Sequence, residues 1–64
     1  MAKVETSRSK IVSRLELEGW ALDRHGAGHD LYRHSVQPGV ISVPRHRILT
    51  PGVARSIAKS AGWT

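Results

Sequence analysis

The 64-residue chain has no cysteine and no phenylalanine. Without thiols there is no disulfide, no thiolate zinc site and no cysteine nucleophile, so the core must hold by packing alone or lean on a partner. Two tryptophans and one tyrosine are too few for a platform that stacks several bases on aromatic rings. No apolar run approaches the roughly 18 residues of a membrane span, and the first ten residues are too polar for a signal peptide. A soluble cytoplasmic protein with no membrane partner is expected. The length allows one domain, residues 1–64, with residues 1–6 as a flexible lead-in. A chain this short removes only about 60 % of its unfolded surface from water, which excludes large enzymes and demands a compact core.

Acidic residues are missing from the second half altogether. Residues 1–30 carry five basic and five acidic side chains and balance, whereas Arg33, Arg45, Arg47, Arg55 and Lys59 follow with no Asp or Glu, giving the net charge of +5. Half of the molecule should therefore present a positive potential, and a polyanion is its natural partner. An acidic protein surface would be drawn to the same patch.

Ile11, Val12 and Leu15 recur at helical spacing between charged residues, predicting a first helix over 8–18. Thr6 or Ser7 is placed to cap it, and Gly19 fits the left-handed position after its end, letting Trp20 fold back onto Leu15. Three short segments follow, 20–24, 29–34 and 40–43, separated by Gly26-Ala27-Gly28 and by Gln37-Pro38-Gly39. Such short connections imply an antiparallel meander. Alternation puts Trp20 with Leu22 on one face and Ile41 with Val43 inward, while Leu31 and Tyr32 point opposite ways with no sign of which is inside. Thr50 before Pro51 starts a second helix whose buried stripe is Val53, Ala54, Ile57, Ala58 and Ala61, ended by Gly62 and Trp63. The expected fold is α+β: helix, three antiparallel strands, helix, with both helices on one face of the sheet.

Four histidines fall in strand ends or loops: His25, His29, His34 and His46. No acidic or thiol pattern completes a metal site around them, and His25 and His34 read as solvated. Acid-base chemistry is the remaining use of an imidazole. His29 is the best placed for it, opening a strand straight after a Gly-x-Gly turn where bare backbone admits a ligand. That turn is no phosphate loop, because Leu31 stands at the third glycine position and no helix follows.

Taken together, Ser7-Arg8-Ser9-Lys10, Gly19-Trp20, Gly28-His29-Asp30-Leu31-Tyr32-Arg33-His34, Val43-Pro44-Arg45-His46, Leu49-Thr50-Pro51-Gly52 and the run from Ile57 to Gly62 resemble the HicA-type toxins of bacterial toxin-antitoxin pairs. The resemblance lies in order, spacing and length rather than in any one motif, and spans Thr6 to Gly62. It implies a fold like the double-stranded-RNA-binding domain. It also implies an mRNA-cleaving activity, neutralised by a HicB-type antitoxin, with higher-order complexes of the two conceivable. By that resemblance the catalytic histidine falls on His29. The Ser of the family's usual Gly-Ser-His is missing here, and Asp30 stands where a second histidine often follows. For Asp30 an ion pair with Arg33 is the simpler expectation, orientation of a neighbouring imidazole the other.

RNA carries its own nucleophile, the 2′-hydroxyl, so a single imidazole suffices for cleavage and neither metal nor cofactor is called for. Arg33, Arg45 and Arg47 are the expected phosphate contacts, joined by His46 and Lys59, with Arg55 less central and Tyr32 as the one aromatic in position to stack on a base. Two rivals keep the fold without the chemistry. One is a small RNA-binding module acting through its basic face, for which His29 is dispensable. The other is an interaction domain that docks an acidic partner.

Overall fold

The structure, a computed structural model, describes residues 4–64. Helix α1 (Arg8–Leu17) leads into strands β1 (Trp20–His25), β2 (His29–His34) and β3 (Val40–Pro44), and helix α2 (Pro51–Ser60) closes the fold. The strands form one antiparallel sheet in the order β1-β2-β3. Both helices cover one face, α1 over β1 and α2 over β3, in the layout of a double-stranded-RNA-binding domain.

The core lies between helices and sheet. Ile11 and Leu15 come from α1, Trp20, Tyr32, Ile41 and Val43 from the strands, and Ala54, Ile57 and Ala58 from α2. The ambiguity in β2 resolves with Tyr32 inside and Leu31 on the open face. Leu22 shares the face of Trp20 as its pairing with Tyr32 requires, yet stays 45 % exposed on the edge strand β1.

The helix ends show where local signals sufficed. Thr50 Oγ1 accepts from the Val53 N–H at 3.3 Å, and Pro51 occupies the first helical position, where a missing N–H costs nothing. At the far end Trp63 N–H bonds to the Ala58 carbonyl at 2.7 Å and Gly62 N–H to Lys59 at 3.2 Å, with Gly62 at φ 81°: a Schellman stop. Ser7 is the cap residue of α1, but its hydroxyl makes no capping bond. The tertiary fold supplies that partner instead, since Arg8 N–H donates to the Arg47 carbonyl at 3.1 Å. Leu49 N–H likewise donates to Thr6 at 2.8 Å, and Val4 packs on the core. Of the lead-in expected to be flexible, Val4 to Thr6 are thus anchored, and residues 1–3 lie outside the described residues.

His34 is not a solvated residue. Its Nε2–H donates to the Glu18 carbonyl at 2.8 Å, and its Nδ1 accepts from the N–H groups of Val36 and Gln37 at 3.0 and 3.1 Å. One ring thereby joins the end of α1 to the β2–β3 turn. Gly19, at φ 96°, leaves room for it: a Cβ there would meet His34 Nε2 at 2.7 Å. The C-terminus is tied back similarly, by Trp63 Nε1–H to Glu18 at 2.7 Å with Arg14 stacked 4.2 Å from the Trp63 ring centre. The Trp63 bond first, and Arg14 Nε–H donating to Glu18 Oε2 at 3.1 Å second, hold the Glu18 carboxyl below its usual range.

Candidate active site

Strand alternation decides which side chains can meet. Along β2, Asp30, Tyr32 and His34 point toward the helices, and His29, Leu31 and Arg33 point to the open face. On β1 a bulge between Leu22 and Arg24 breaks the alternation, so that Arg24 pairs with Leu31 and His25 with Asp30. Without that extra residue, Arg24 would face the helices and His25 the open side. The bulge therefore adds Arg24 to the face of His29 and brings His25 onto Asp30.

Asp30 is the one buried charged residue among those described, 7 % exposed, and it is a junction. Oδ2 accepts from Arg8 Nη2 at 2.6 Å, and Oδ1 from Arg45 Nε at 2.8 Å while lying 2.7 Å from His25 Nδ1. Arg8 also donates through Nε to the Pro44 carbonyl at 2.8 Å. Three separate elements converge on one carboxylate. The bonds from His25 and then Arg45 outweigh desolvation and pull its pKa down to about 2. Neither sequence expectation for Asp30 included the guanidiniums of Arg8 and Arg45, and the pairing with Arg33 is overturned: Arg33 lies on the opposite face and pairs with Asp23 at 3.4 Å. His25 is solvated as expected, its side chain 66 % exposed, while its Nδ1 lies against Asp30.

His29 stands at the start of β2, half-buried, opposite Pro44. Its ring lies over Gly26, where a Cβ would come within 2.9 Å of Nε2. The glycine thus seats the imidazole itself, where sequence reasoning had it making room for a ligand. Gly28, at φ 76°, makes the tight turn.

The predicted site residues divide into three groups. The β3–α2 loop leaves from beside His29, so Arg45, His46 and Arg47 share its end of the sheet, with His46 and Arg47 exposed. Arg33 lies on the His29 face, four residues along the same strand and so about 13 Å away. Lys59 and Arg55 are exposed on α2 and lie across the sheet from His29, so no single phosphate meets both sets. Tyr32 is corrected outright: it is 5 % exposed within the core, burial raises its phenol pKa, and no ring face is left for a base. Sequence reasoning missed Arg8, Arg24 and the Asp30 junction. The signal was present in Asp30 itself, the last acid of the chain, set among basic residues. Among the described residues no three histidine, aspartate or glutamate side chains converge as metal ligands.

The fold and this cluster define a small α+β module with the layout of a double-stranded-RNA-binding domain, histidine and arginine gathered at one end of its sheet. The sequence model of the family described as HicA toxin of bacterial toxin-antitoxin matches residues 8–63, from the start of α1 to the C-terminal tryptophan, and the chain belongs to that family. Membership makes it the toxin type of a toxin-antitoxin pairing. No curated protein matches the chain. No helix among the described residues is long and apolar enough to cross a membrane.

Proposed function

We propose that the chain is an endoribonuclease that cleaves mRNA with His29 as its acid-base group, and that a HicB-type antitoxin restrains it. The observation that carries this reading is the half-exposed His29 imidazole on the same sheet face as Arg24 and Arg33 and beside the Arg45–Arg47 loop. His29 takes the proton of a ribose 2′-hydroxyl, whose oxygen attacks the adjoining phosphorus. The bond from phosphorus to the 5′-oxygen breaks, and that oxygen takes a proton from water as it leaves, while His29 later returns its own proton to solvent. Arg47 and His46 offset charge on the crowded phosphorane, and Arg33, farther along β2, holds a neighbouring phosphate. Proton transfer of this kind contributes about 10² to 10⁴ in rate. The products end in a 2′,3′-cyclic phosphate or the monophosphate derived from it.

Wild type and His29→Ala are compared for growth arrest on expression and for cleavage of a long transcript. The expected outcome is arrest and cyclic-phosphate ends with wild type, and loss of both in the variant at undiminished melting temperature. Undiminished cleavage by His29→Ala, or 3′-hydroxyl ends that vanish with chelators, rejects the mechanism. RNA binding without cleavage by either protein leaves the binding-module reading.

A further inference from the structure

Arg45 was expected from sequence to grip phosphate, yet its Nε and Nη2 are already engaged within the chain. Nε–H goes to Asp30 Oδ1 at 2.8 Å, and Nη2 to the carbonyls of Gly26 at 2.8 Å and His29 at 3.4 Å. Its backbone N–H goes to the Gly28 carbonyl at 3.1 Å. Three of the four carbonyls from Gly26 to His29 thus receive bonds from this one residue. The turn has little else to stiffen it: its side chains are those of glycine, alanine and glycine, and such a segment loses much conformational entropy when fixed. The His29 O that accepts from Arg45 also accepts from Gly26 N–H at 2.7 Å, and the His29 ring rests on Gly26. Asp30, buried and anchored from the other side by Arg8, fixes the guanidinium that fixes the turn.

From this geometry we infer that Arg45 is a positioning residue, which clasps the Gly26–Gly28 turn to Asp30 and so holds the His29 imidazole in its working orientation, rather than a ligand of RNA phosphate. The inference rests on the nuclease reading for its consequence in rate, and on the contacts alone for the clasp. A planar guanidinium holds its donors on separate nitrogens in a fixed fork and so spans a carboxylate and two carbonyls in one orientation, whereas an ammonium has its three donors on a single rotatable nitrogen. Misplacing a reacting group by about 1 Å costs on the order of 10²-fold in rate.

The test uses single-turnover cleavage of one long transcript, titrated with wild type, Arg45→Ala, Arg45→Lys and Arg47→Ala at several salt concentrations, with amide hydrogen exchange on the same proteins. For both Arg45 variants the saturating rate is expected to fall on the order of 10²-fold. Half-saturation and its salt slope stay within about twofold of wild type, and exchange at the Gly26 amide quickens by roughly fivefold or more. Core amides such as Val43 keep their protection. Arg47→Ala shows the converse, a raised half-saturation and a salt slope shallower by about 1. Arg45→Lys keeps the stem and charge should Arg45→Ala lose the fold. The inference is overturned if the Arg45 variants keep the wild-type saturating rate while losing salt slope, or if Gly26 exchange is unmoved. Failure of wild type to cut the transcript would instead sink the nuclease reading and the rate role with it, leaving Gly26 exchange to judge the clasp.

Discussion

Asp30 couples folding to pH in a direction that follows from its partners. An ordinary aspartate ionises near 3.9, and the bonds from His25 and Arg45 hold this one at about 2 in the folded chain. As pH falls the unfolded chain therefore takes up the proton first. The stabilisation is complete above about pH 4 and is lost between there and about pH 2. Glu18, also depressed, contributes in the same sense at the other end of α1. Tryptophan fluorescence followed from pH 5 to pH 2 should show Asp30→Asn with a shallower acid loss than wild type, Glu18 supplying the remainder. The variant should also melt lower at neutral pH, since two guanidiniums lose a charged acceptor. An acid profile identical to wild type would show that the Asp30 bonds do not persist in solution.

At the scale of elements, both helices stop at a glycine of positive φ followed by a tryptophan, but the two glycines do different work. Adding a Cβ at Gly62, φ 81°, meets nothing within 4 Å. Gly62→Ala therefore carries only the left-handed penalty, about 1–2 kcal/mol. At Gly19 the same penalty applies and the new carbon also strikes His34 Nε2, which holds Glu18 and, through Nδ1, the β2–β3 turn. Each bond disturbed adds about 1 kcal/mol. In thermal melts Gly19→Ala should fall further than Gly62→Ala by at least one such bond, or about 4–8 °C in a domain of this size; equal falls would remove His34 from its joining role. These stops were legible in sequence because a glycine, a proline or a capping hydroxyl acts within a turn of itself. The same holds for element order and for Thr50-Pro51. What stayed hidden depends on residues far along the chain. Tyr32 and Leu31 are both apolar neighbours, and only the helices laid across one face distinguish them. The bulge after Leu22 is a matter of register between two strands. Asp30 finds its guanidiniums 22 residues before it and 15 after, and α1 receives a backbone carbonyl from Arg47 that no capping rule anticipates.

The whole molecule sorts its charge in a way the composition could not reveal. Arg8, Arg14, Arg33 and Arg45 have acidic partners, whereas Lys10, Arg24, Arg47, Arg55 and Lys59 have no ion-pair partner among the described residues. Those five do not form one patch. Arg24 lies on the open face and Arg47 at its His29 end, whereas Arg55 and Lys59 lie across the sheet on α2. An RNA strand running past His29 can reach Arg24 and Arg47, and also Arg33, whose 3.4 Å contact with Asp23 is long and 60 % exposed on the arginine side. Three neutralised phosphates on a single strand give a plot of log affinity against log salt with a slope of about −2. Wrapping both faces would engage Arg55 and Lys59 as well and steepen the slope to about −3.5. Half-saturation of transcript cleavage, measured from about 50 to 200 mM salt, separates these geometries. A shallow slope that Arg55→Ala and Lys59→Ala leave unchanged confines RNA to the His29 face. A steep slope that those substitutions relax would mean that the helical face takes part.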